Sequence, residues 1–264
     1  SLEDWLDTHD GLDELTFTAQ RLYFKRQYAE TRDLCVKLTS LYLEKRGKGV
    51  RIASIREILE IGAKAAMHVD DLESLEYFYD LYQDCGGAFP GYNQFLAAVL
   101  RKLGRPVDAL TQYITYLEMR KQDALVWQCI GQILRELGAV SPSIMQDLAR
   151  LSLAAFMRSY RIVVECKNWK SMAFAVERRQ KQLDELSQDV VKSLDLLGFA
   201  SPSDVWSRCE GEMFTDSALS PLDACSGALE IPVRWIATQL STTAESAEQQ
   251  GDDDEEEEKN VADL

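Results

Sequence analysis

The strongest constraint on the fold of this chain is a recurrence at an interval of 34 residues. When "GYNQFLAAVLRKLGRPVDALTQYITYLEMR" is set over "LVWQCIGQILRELG", Asn93 stands over Trp127, Leu96 over Ile130, Ala97 over Gly131, Leu100 over Leu134 and Gly104 over Gly138. One interval earlier, Leu59, Gly62, Ala63 and Ala66 fill the same columns, and Leu75, Tyr79 and Tyr82 stand over Ala109, Tyr113 and Tyr116. A further copy, displaced by ten more residues, brings Leu15, Ala19, Leu22, Tyr28, Thr31, Cys35 and Leu38 into register; the surplus falls in "EKRGKGVRI", which reads as a loop. Apolar residues within a unit recur at three and four, as in Leu96, Val99, Leu100 and Leu103 or Ile130, Ile133, Leu134 and Leu137, which is the period of a helix and not of a strand. The expected fold class is all-α from about 12 to 240, with each unit burying its apolar stripe against its neighbours.

The register explains an oddity in "VWQCIGQIL". An interior glycine costs a helix about 1 kcal/mol relative to alanine, yet Gly131 occupies the column of Ala19, Ala63 and Ala97. A small residue there lets two helix backbones approach closely. Trp127 then fills the large position four residues earlier, and Cys129 is an ordinary neighbour rather than a reactive thiol. The column order is a large residue, an aliphatic, a small residue, another large one, a turn glycine, then a small and two larger residues. It resembles the tetratricopeptide repeat, most closely in Trp127, Ile130, Gly131 and Leu134 and in Gly104, Ala109, Tyr113 and Tyr116. The resemblance covers roughly 12–140. It departs from the family pattern at Thr31 and Leu75 in the second-helix small position, lacks the proline usual at a unit's end, and delays the last second helix to Ser141-Pro142. It implies a right-handed solenoid of antiparallel helix pairs over 1–198, with units near 12–46, 56–89, 90–123 and 124–165.

Beyond the repeats, two long helical segments are expected near 143–166 and 170–198. The second carries an apolar seam of Leu183, Leu186, Val190, Leu194 and Leu197, with Gly198 placed to end it. A C-terminal helical extension with Trp206 and Trp235 occupies 199–240. Three Ser-Pro pairs, at Ser141, Ser201 and Ser220, suit helix starts with serine as cap and proline as first residue. The net charge of −15 is uneven: residues 241–264 hold ten acids and one base, giving −9, and the rest holds −6. That tail has almost no apolar content and is expected to be disordered. An acidic body disfavours direct nucleic-acid binding, and no apolar run is long enough to span a membrane. The opening "SLEDWLDTHDG" has neither the basic nor the apolar region of a secretory leader. Six scattered cysteines without a C-x-x-C pair read as reduced core thiols, and the location expected is cytoplasmic, nuclear or both.

No catalytic, cofactor or metal motif accompanies the repeats. The two histidines, His9 and His68, are far apart, no phosphate loop is present, and the run Asp252–Glu258 lacks the spaced ligands of a calcium loop. The chain is therefore expected to be no enzyme and to hold no cofactor. The family resemblance implies instead that first helices of successive units line a concave groove. Its positions here are Thr16, Gln20, Tyr23 and Phe24; Glu57, Glu60, Lys64 and Met67; Gln94, Ala98, Arg101 and Lys102; and Gln128, Gln132, Arg135 and Glu136. Such a face suits an extended peptide or a helix. The clamp that grips the carboxylate of heat-shock chaperones is not recognisable, since Thr16 and Gln20, then Glu60 and Lys64, stand at its positions. The expected function is a protein-binding scaffold or adaptor subunit of a multiprotein assembly. The alternative is a dedicated escort of a basic protein, such as a ribosomal protein or a histone, using the groove together with the acids Asp252, Asp253, Asp254, Glu255, Glu256, Glu257 and Glu258.

Overall fold

The computed structural model describes residues 11–45, 55–87, 90–165, 173–197 and 229–240, and among these every regular element is helical. In chain order these are α1 (Gly11–Phe24), α2 (Tyr28–Lys45), α3 (Ile55–His68), α4 (Leu72–Asp84), α5 (Pro90–Lys102), α6 (Pro106–Met119), α7 (Ala124–Val140), a short 3-10 turn (Pro142–Ile144), α8 (Met145–Glu165), α9 (Ala173–Leu197) and α10 (230–240). The loop "EKRGKGVRI" from Arg46 on, Ser201-Pro202, Trp206, Gly198, Ser220-Pro221 and the acidic tail lie outside the described residues. The chain divides into two compact units, 1–105 and 106–264. That division falls between the two helices of the third sequence unit; the sequence reading placed boundaries after 198 and after 240, both beside residues outside the described ones. No helix among the described residues is long and apolar enough to cross a membrane.

In the first unit α1 rests on α2 and α3, α2 on α3, α3 on α4 and α5, and α4 on α5. Each helix thus meets its successor, and the odd-numbered helices also meet one another. Most of the aligned apolar positions are buried, while Leu15, Leu22 and Tyr28 are half-buried. Ala19, Ala63 and Ala97 are buried, as are Thr31, Cys35, Leu38, Leu75, Tyr79 and Tyr82 along the even-numbered helices. Helix α3 touches α1, α2, α4 and α5, and a Cβ placed on its Gly62 would sit 2.5 Å from Cζ of Phe78 and 2.9 Å from Cβ of Cys35. Burial pushes the Cys35 thiol up to about 12, so it is an unreactive core group.

Three turns in this unit share one geometry. Arg26, Asp70 and Gly104 take the left-handed conformation, with φ of 61°, 55° and 73°. In each, the following N–H, of Gln27, Asp71 or Arg105, donates to the carbonyl five residues back, of Leu22, Ala66 or Leu100. This closes the helix end in the manner usual for a glycine at that position. The three residues are spaced as the sequence columns are. Asp71 then caps α4: its carboxylate accepts the N–H of Ser74 at 3.1 Å and is paired with Arg32 of α2 at 2.8 Å. The bonds from Ser74 lead the causes that hold this carboxyl below its usual range.

In the second unit α6 packs on α7, α7 on α8, and α9 on both α8 and α7. Asp123 begins α7 by accepting the N–H groups of Leu125 and Val126 at 3.0 and 3.2 Å, and the Tyr116 hydroxyl bonds its other oxygen. Gly131 lies flush against α8: a Cβ there would stand 2.7 Å from Cε1 of the fully buried Phe156. Two serines of α8 exploit the close approach, Ser152 donating to the carbonyl of Gly131 at 2.7 Å and Ser159 to that of Ala124 at 2.6 Å. Leu153, Phe156, Met157 and Val163 of α8 meet Leu186, Val190 and Leu194 of α9 in one buried cluster. Helix α10 buries Val233, Ile236, Ala237 and Leu240, and its Trp235 stacks on Trp127 with ring centroids 6.5 Å apart.

Two expectations are corrected here. Gly138, aligned with the turn glycine Gly104, does not end its helix, because α7 runs on to Val140. It is small for another reason: a Cβ there would meet Leu148 Cβ and the Met145 carbonyl oxygen at 3.4 Å, where the chain folds back. Ser141 does precede a proline that opens a turn, but its hydroxyl makes no capping bond. Its backbone, at φ −127° and ψ 78°, instead closes α7 through its N–H to the carbonyl of Gly138.

Candidate partner-binding face

Because α1, α3 and α5 pack side by side in the first unit, the groove columns become rows across three helices. Thr16, Glu60 and Gln94 are all half-buried, as are Gln20, Lys64 and Ala98, and as are Tyr23, Met67 and Arg101. Phe24, His68 and Lys102 are all exposed. Each row stays within one broad range of exposure from helix to helix. Glu57 is exposed at the start of α3.

Several of these side chains are already partnered. Lys64 pairs with Glu60 at 2.5 Å and holds its ammonium 5.9 Å above the Phe95 ring, a combination of ion pair and cation–π contact. Lys102 pairs with Asp70, which holds that carboxyl below its usual range. The Tyr23 hydroxyl is 3.2 Å from Nε2 of His68, and Tyr28 stacks on the His68 ring at 4.0 Å. Phe24 stands out beside this aromatic set, 82% exposed. Sequence reasoning missed Phe17, 67% exposed and seven residues before Phe24, hence on the same side of α1. Its signal was a large apolar residue off the buried stripe.

The fourth set of groove positions is different. Gln128 and Gln132 donate to one carboxylate oxygen of Asp189 at 3.3 and 2.9 Å. Arg135 donates to its other oxygen at 2.9 Å and to its backbone carbonyl at 3.1 Å. Gln128 is buried and Arg135 is largely covered. These three residues were expected to line an open groove; they grip the chain's own α9 instead, and only Glu136 of that set is exposed. Burial alone would raise the Asp189 carboxyl, but the bonds from Gln132, Arg135 and Gln128 outweigh it and hold the group below its usual range. The missed residue is therefore Asp189, and its signal was an acid lying inside the apolar seam of Leu186, Val190 and Leu194. The acids Asp252–Glu258 lie outside the described residues. Among the described residues no three metal-ligating side chains converge. Comparison of the chain with family models, with curated proteins and with solved structures finds no match.

Proposed function

We propose that the chain is a non-enzymatic scaffold or adaptor subunit that holds a partner segment, extended or helical, across α1, α3 and α5. One observation carries the reading: four rows of equivalent positions, none of them fully buried, cross three packed helices and carry amides, charges and aromatics. A rigid helical platform with amide and aromatic groups at repeated spacing matches peptide capture better than it matches bond chemistry. The test pairs Phe24→Ser with Gln94→Lys, two positions at opposite ends of the face. Affinity capture from the native source, quantified by mass spectrometry, should lose a stoichiometric partner by tenfold or more ("roughly a 1.4 kcal/mol loss"), with the urea midpoint unchanged. A partner retained in full by that intact variant would overturn the proposal.

The charge of the tail favours a second reading, escort of a basic protein. Deleting 244–264 should then weaken partner binding, and wild-type binding should fall steeply with salt. Binding indifferent to both leaves only the scaffold reading.

A further inference from the structure

We infer that the acidic run 252–258 docks in cis onto a basic-sided groove in its own unit, formed where the start of α7, the end of α8 and the first half of α9 meet. The groove has a volume of about 410 Å³ and is lined by apolar Leu125, Ile162 and Val163 and by basic Arg178, Arg179 and Lys181, which form its cationic side. Of the two acids on its wall, Asp123 is occupied by the N–H groups of Leu125 and Val126 and by Tyr116, and Glu185 meets Lys181 only at 4.0 Å. Arg179 is held by its bond to the Val164 carbonyl at 3.0 Å, while Arg178 and Lys181 are exposed. The basic side is thus a local cationic site on a chain whose net charge is −15.

Tethering selects the occupant. The stack of Trp235 on Trp127, at 6.5 Å, seats α10 two residues along α7 from the groove residue Leu125. Helix rise then places Leu240, where α10 ends, within about 25 Å of the groove. The twelve residues from Leu240 to Asp252 span at most about 40 Å when extended and about 20 Å as a flexible chain. The acids therefore reach the groove without unfolding anything, at an effective concentration on the order of millimolar. Seven consecutive carboxylates at that concentration compensate for the weakness of each exposed pair. Apolar lining residues remain for aliphatic carbons of the acidic side chains to cover. Docked acids would shut acidic partner segments out of this groove, a consequence independent of what binds across α1, α3 and α5.

Zero-length carbodiimide coupling of the full chain tests the inference, read by peptide mass spectrometry. Low ionic strength should give an amide link from Lys181 to a residue of 252–258 in preference to Lys121 or Lys192. At 1 M salt, where the screening length is about 3 Å, the link should vanish. Arg178→Glu should reduce it by roughly threefold or more, as expected for reversing one exposed charge, and Arg178→Lys should preserve it. Isotope-mixed protein should show the link within one chain. Links spread evenly over the exposed lysines, links insensitive to Arg178→Glu, or links between chains would each overturn the inference.

Discussion

Replacing Asp189 by alanine is the most informative perturbation of the second unit. The wild-type carboxylate accepts from Gln128, Gln132 and Arg135, so its loss strands one guanidinium and two amides at once. Removing one partner from a buried ion pair costs about 3–5 kcal/mol. Arg135 keeps 18% of its side-chain exposure and can be partly rehydrated, which lowers the expectation to about 2–4 kcal/mol. Gln128, buried at 6%, cannot be rehydrated without opening the α7–α9 contact. Urea unfolding followed by tryptophan emission, to which Trp127 and Trp235 contribute two of the five indoles, is the assay. A double-mutant cycle then separates charge from packing: Arg135→Met with Asp189→Leu should recover the part of the loss owed to the stranded guanidinium, with a coupling above about 1 kcal/mol, while the part owed to the two amides remains. The pH dependence has a fixed sign. The folded carboxyl titrates below its unfolded value, so its contribution is present above the unfolded value and is lost as pH falls through the folded one. Wild type should therefore lose stability on acidification more steeply than Asp189→Asn. A cost below about 0.5 kcal/mol for Asp189→Ala, or strict additivity in the cycle, would refute the clamp.

Two further substitutions probe the backbone. Gly104→Ala should destabilise by about 1–2 kcal/mol in thermal melts, because φ is 73° and no atom lies within 4 Å of the new Cβ, so the effect is conformational alone; an unchanged melting temperature would contradict the left-handed turn. Gly131→Leu should cost about 1–3 kcal/mol by overpacking Phe156, and Gly131→Ala less, since the helix-propensity gain of about 1 kcal/mol offsets part of it; a leucine variant as stable as wild type would contradict the close approach of α7 and α8.

How much of this was legible in the residues depends on which force acted. The buried columns were legible because burial is periodic: Ala19, Ala63, Ala97 and Gly131 are small, and all four are buried. The turn at Gly104 was legible because only glycine adopts φ of 73° freely. Its counterparts at Arg26 and Asp70 were not, since nothing in an arginine or an aspartate announces a left-handed backbone. There the turn is imposed by the tertiary packing of α1 on α2 and α3 on α4. Gly138 shows the converse error, a glycine read as a turn that serves instead as a landing for Leu148 and Met145.

The groove positions separate along the same line. Rows across α1, α3 and α5 follow from local periodicity plus a repeated turn, so their exposure could be read from spacing. The fate of Gln128, Gln132 and Arg135 depended on a helix more than fifty residues later, and no local pattern carries that. One non-local clue did exist. An acid within an apolar seam costs free energy unless it meets donors on the opposing helix, and Asp189 sits between Leu186 and Val190. The amphipathic face of α7 and the interrupted seam of α9 are complementary, with two amides and a guanidinium against one carboxylate. That complementarity explains why α9 packs against α7 as well as α8. It also explains why Gln128, Gln132 and Arg135 are spent on α9.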